Sequence, residues 1–97
     1  MRKYYSDLVR HCTRFYFSKE SAPSALTSRA DYNNYISVSN VLDKYSLEEK
    51  LILKQVYQSE STIRAVNAIR NEKWNTESIW YLIQKYEREV AMERGIL

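Results

Sequence analysis

The stretch 61–94, STIRAVNAIRNEKWNTESIWYLIQKYEREVAMER, decides the fold. Its apolar residues fall into two helical runs separated by a polar interruption. In the first run, about Thr62 to Asn71, Ile63, Ala65, Val66 and Ile69 recur at helical spacing and are predicted to face inward. Glu72 to Asn75 then break the pattern. The second run, about Thr76 to Arg94, carries the stripe Ile79, Leu82, Ile83, Tyr86 and Val90, and Gly95 follows as a suitable left-handed C-cap. Short helix, tight break and longer helix is the form of a helix-turn-helix, and also the way any small helical bundle is built.

Working upstream, Ser46-Leu47-Glu48-Glu49 is a capping box, in which serine and the second glutamate satisfy each other's amides. It opens a helix over about 47–57 with Leu47, Leu51, Ile52, Leu53 and Val56 as its apolar set. The segment 28–44 is helical and apolar nearly all round, with a narrow polar arc of Asn33, Ser37, Asn40 and Lys44, which predicts a central position. Ser18 to Ser28, holding the only proline, Pro23, reads as a connection. Residues 3–17 form an amphipathic helix with Tyr5, Leu8, Val9, Cys12, Phe15 and Tyr16 on one face. One glycine and one proline in 97 residues leave too few turn residues for a sandwich or barrel. The expectation is a single all-α domain over 1–97 with about five helices. An N-terminal helix pair, 1–45, packs on a helix-turn-helix-like part, 46–97.

Composition excludes several functions. A lone cysteine, Cys12, permits neither an internal disulfide nor a Cys-rich zinc site, and points to the cytoplasm. No apolar run approaches a membrane span, and charged residues interrupt anything resembling a signal peptide. A single glycine excludes a Gly-rich phosphate loop, and no cofactor or metal motif is present. His11 and Cys12 are neighbours on a helix, so they point about 100° apart and make a poor base–nucleophile pair. His11 is expected at the surface and Cys12 in the core. Glu87, Glu89 and Glu93, interleaved with Lys85, Arg88 and Arg94, read as a solvated helix face. The chain is therefore read as a binding protein and not an enzyme.

Net charge is +3, and residues 1–20 alone contribute a net +3. With Ile79 at the centre of the buried stripe, Glu77, Tyr81, Gln84, Lys85 and Arg88 project outward from the last helix. Gln can bond adenine, Lys and Arg can reach guanine or phosphate, and Tyr can meet a phosphate or a thymine methyl. Arg64, Arg70 and Lys73 flank the turn as candidate phosphate contacts. Lys3, Arg10 and Arg14 make a secondary basic stripe on the first helix, and a solvated face is the commoner role for such a stripe.

The stretch from Tyr45 to Arg94 resembles the region-4 helix-turn-helix of sigma factors, and more closely the small phage transcription activators of the ArpU and RinA type. Tyr45-Ser46-Leu47-Glu48-Glu49-Lys50-Leu51-Ile52-Leu53 is similar to the entry helix, and Asn75-Thr76-Glu77-Ser78-Ile79 to the start of the recognition helix. The resemblance implies a phage or prophage regulator bound to double-stranded DNA, acting with host RNA polymerase or another host complex, and often a homodimer. Two positions depart from the pattern. Ile69 stands where the family has a small residue, and Lys73 where it has a turn glycine, so a left-handed turn at Lys73 would be strained. Trp74 is expected to wedge between the two helices. Nine tyrosines and two tryptophans support an alternative, a phage inhibitor of host nucleic-acid machinery such as an anti-CRISPR, docking through an aromatic surface.

Overall fold

The computed structural model describes residues 5–19 and 28–96. These form five helices and no strand: α1 (Ser6–Lys19), α2 (Arg29–Leu42), α3 (Leu47–Gln58), α4 (Thr62–Ile69) and α5 (Thr76–Glu93). The protein is all-α, as its turn-poor composition requires. Lys3 and most of the expected 18–28 connection lie outside the described residues, and Ser18 belongs to α1.

Each of the four later helices starts on a side-chain cap. Ser28, Ser46, Ser61 and Asn75 accept from the amides of Asp31, Glu49, Arg64 and Ser78, satisfying donors the helix leaves open. The capping box at Ser46 and Glu49 is complete in both directions. Gly95, at φ +81°, closes α5 in the left-handed conformation that favours glycine.

The stripe Ile79, Leu82, Ile83, Tyr86 and Val90 is buried along the whole of α5, which packs on α1, α2, α3 and α4. At its centre Tyr86 is fully enclosed, its ring tilted against Tyr57 and edge-on to Tyr45. Its hydroxyl meets that of Thr13, which itself donates to the Val9 carbonyl. Burial pushes the Tyr86 pKa well above the ordinary phenol value, and the hydrogen bond with Thr13 opposes part of that shift. Cys12 is fully buried and His11 exposed, as expected.

Four apolar or polar assignments change. Helix α2 is not central: it packs chiefly on α1 and α5, and its Tyr32 is 53% exposed. Tyrosine can cover an apolar neighbour while its hydroxyl stays wet, so a tyrosine-rich helix need not be enclosed. Within α2, Ser37 is buried, its hydroxyl bonded to the Asn33 carbonyl, and Asn34 is buried too. Leu47, Leu51 and Ile63 face outward, because α3 and α4 each bury one narrow side, Ile52, Leu53 and Val56 on the first and Ala65 and Val66 on the second. Of the acids of α5, Glu87 and Glu89 are half-buried and Glu93 is exposed, and all three accept hydrogen bonds. Glu87 accepts from Ser6, Glu89 from the Tyr45 hydroxyl and Glu93 from Asn40, while Arg94 donates to Asn34. These bonds tie α5 to α1 and α2.

Candidate nucleic-acid interface

The outward face of α5 follows from its cap and its buried stripe. Asn75 accepts from the amide and hydroxyl of Ser78, which starts the helix at Thr76. Ile79, Leu82, Ile83, Tyr86 and Val90 then turn inward. Glu77, Tyr81, Gln84 and Arg88, at four- and three-residue spacing, fall on one outward stripe with Lys85 beside it. All five are exposed, Tyr81 by 70%. The Lys85 ammonium lies 5.5 Å from the centre of the Tyr45 ring, a cation–π contact that leans it toward the α2–α3 junction.

Helix α4 ends two residues earlier than its apolar pattern suggests, at Ile69, so the connection to α5 runs over 70–75. That is longer than the three- to four-residue turn of a helix-turn-helix. Asn71 organises it. Its side-chain oxygen accepts from the amides of Lys73 and Trp74 at 2.8 and 2.7 Å, and its own amide donates to the Trp74 carbonyl. This Asx-type turn needs no left-handed residue, and among the described residues only Gly95 has positive φ. Lys73 in place of glycine is therefore unstrained.

The turn is also held from outside. Glu48, in the first turn of α3, pairs with the Lys73 ammonium at 2.9 Å and accepts from the Trp74 indole N–H. Those two partners draw the Glu48 carboxyl below its ordinary pKa. Trp74 is half-buried against the core, its indole N–H directed to α3. Arg64 and Arg70 are exposed on α4 and at its end, with their side chains in solvent. Of the three bases around the turn, Lys73 alone is neutralised by a neighbour.

Two residues of the secondary basic stripe are hydrogen-bonded within the fold. The Arg14 guanidinium donates to the carbonyls of Tyr57 and Ser59, both at 2.9 Å, and Arg10 donates to the Thr62 hydroxyl at 2.8 Å. Helix α3 has acids in its first turn and no base in its last, so its C-terminal carbonyls lack a local cation. Arg14 supplies one from α1. The two arginines clamp the α3–α4 junction onto α1. Sequence spacing could not show this, because the partners lie 43 and more residues away.

Electrostatically the face is mixed. Glu77 is exposed at the start of α5, and Glu49 joins it with Trp74, Tyr81 and Lys85 around a shallow cleft of about 390 Å³. The basic end is the C-terminal half, at Lys85 and Arg88. Among the described residues no group of His, Cys, Asp and Glu gathers as a metal site, and no helix is long and apolar enough to cross a membrane. The chain matches no known protein-family model, no curated protein and no solved structure.

Proposed function

We propose that this chain is a small DNA-binding transcription regulator of the phage or prophage type, comparable to the ArpU and RinA activators, acting in the cytoplasm without catalysis. The observation that carries the reading is the uncovered outward stripe of α5. Glu77, Tyr81, Gln84, Lys85 and Arg88 stand exposed together on a helix whose opposite face is fully buried. In this reading Gln84, Lys85 and Arg88 meet base edges and phosphates, Tyr81 packs against the backbone, and Arg64 and Arg70 fix the register. Lys73 joins only by exchanging Glu48 for a phosphate. Two copies on paired half-sites would raise affinity and specificity.

The test is fluorescence anisotropy with random duplex DNA at two salt concentrations. With about three to five phosphate contacts, affinity falls about forty- to five-hundredfold between about 50 and 200 mM salt. Lys85→Ala and Arg88→Ala fold normally and weaken binding, each lowering the salt slope by about one. Absence of binding at low salt, or unchanged binding in both variants, removes the reading.

A second reading rests on a different observation. Tyr81 and Met92 are 70% and 57% exposed on α5, and Glu77 and Glu49 make its N-terminal end acidic. An acidic, aromatic face suits a basic protein partner better than a phosphate backbone. A phage inhibitor of host nucleic-acid machinery would use it so. Its complex would survive salt that dissolves a DNA complex, and Tyr81→Ala would weaken it most.

A further inference from the structure

The outward row of α5 begins on an acid, Glu77, and ends on a base, Arg88, with Tyr81 and Gln84 between them. The neighbouring charges keep that order. At the N-terminal end Glu49 and Lys85 share a cleft with Glu77, which leaves the cleft acidic by one charge. Glu48 and Lys73 cancel beside it as an ion pair, and the exposed Arg70 and Glu72 add one charge of each sign. In the C-terminal half the acids Glu87, Glu89 and Glu93 lie off the row, bonded to Ser6, Tyr45 and Asn40. Arg88 is left as the charge that this end presents.

The row is also unpartnered within the fold. The side chains of Glu77, Tyr81, Gln84 and Arg88 bond no other described residue. Tyr81 is 70% exposed, and Met92, one turn beyond Arg88, is 57% exposed. Glu77 and Arg88 are eleven residues apart, which is about three turns and about 16 Å, so they stand almost in line. Two copies of α5 laid antiparallel about a two-fold axis midway along that span bring each Glu77 to the partner's Arg88. Tyr81 then faces the partner's Gln84. A parallel arrangement would set Glu77 on Glu77 and Arg88 on Arg88, so charge selects the antiparallel one.

Shape points the same way. The cleft of about 390 Å³ at the acidic end is walled by Trp74 and Tyr81. The antiparallel mate delivers its Arg88 and Met92 to that end, a guanidinium for the carboxylates and a thioether for the aromatic rings. Because the contact is two-fold, each such pairing occurs twice.

We infer that α5 docks on α5 of a second copy of this chain, antiparallel, through Glu77, Tyr81, Arg88 and Met92. One helix face is less than the roughly 800 Å² per partner of a standard interface, so the dimer is weak, with a Kd of about 0.01–1 mM. The same row cannot face a partner copy and a DNA groove at once. The self-paired form is therefore the DNA-free form, and it differs from two copies side by side on paired half-sites. The pairing itself does not rest on DNA binding.

The test is sedimentation equilibrium of the full chain from about 0.01 to 1 mM at low salt, without DNA. A monomer–dimer equilibrium is expected. Glu77→Arg and Arg88→Glu change exposed residues and keep the helical circular dichroism. Each turns both symmetric pairs repulsive and weakens the dimer at least about tenfold. Mixed in equal amounts, the two variants pair with each other to within about threefold of the wild-type Kd, because every facing pair is again opposite in sign. A chain that stays monomeric at 1 mM overturns the inference. So does a dimer that neither variant weakens, or a pair of variants that does not associate when mixed. No DNA is present, so a failure here is distinct from a failure of the DNA reading.

Discussion

Thr13 and Tyr86 show how one hydrogen bond divides its burden. Thr13 donates to the Val9 carbonyl, so the hydroxyl pair is completed by Tyr86 donating to Thr13. Thr13→Val therefore leaves a phenol donor stranded in a fully buried site, at a cost of about 1–3 kcal/mol. Tyr86→Phe removes the donor with its need, and costs less, about 0.5–1.5 kcal/mol. Urea unfolding of the two variants checks the order, and equal losses would contradict it. Glu48 carries a different kind of dependence. Its carboxyl is held below the ordinary value of 4.5 by Trp74 and Lys73. A lowered folded pKa stabilises above 4.5, and that contribution fades as pH falls through Glu48's own lower value. Tryptophan emission should therefore shift in acid as Trp74 loses its acceptor. Glu48→Gln should remove most of that transition. A wild-type emission indifferent to acid would argue against the anchor.

At the scale of elements, α3 is the instructive case. Its start was legible, because serine, two intervening residues and glutamate satisfy each other within one turn of chain. Its end was not, because the cation that completes it comes from α1. Arg14→Ala should lower stability by about 0.5–1.5 kcal/mol, and Arg14→Lys should recover only part, since the fork to two carbonyls is lost. Thermal melts of both variants measure this. The same division runs through the rest of the molecule. The buried stripe of α5 was readable from spacing alone, and its five outward residues are all exposed. The outward turn of Leu47, Leu51 and Ile63 was not readable, because periodicity reports which residues share a side and not how wide a neighbour covers it. The bonds of Arg10 and Arg14 to the α3–α4 junction were not readable either, because their partners are distant in sequence. Lys73 looked strained because a family pattern supplied the glycine. Asn71 supplies the turn here by side-chain hydrogen bonds instead.

At the scale of the whole molecule, α5 is the common neighbour of the other four helices, and its polar residues lace it to α1 and α2 as its apolar stripe packs below. A face presented on such a helix is held rigid from behind, which suits recognition of a preformed surface. The lone cysteine sits within this arrangement. Cys12 is fully enclosed, burial pushes its thiol pKa up, and Arg94 near the end of α5 opposes part of that shift. A thiol so enclosed cannot meet an alkylating reagent while α1 and α5 stay together. Its labelling rate should therefore be slower than that of a free thiol by orders of magnitude, and should track the free energy of opening as urea is added. Fast labelling of native protein would show that the end of α5 lifts on its own. Cys12 is in effect an internal clock: one thiol, unique in the sequence, that counts how often the molecule comes apart.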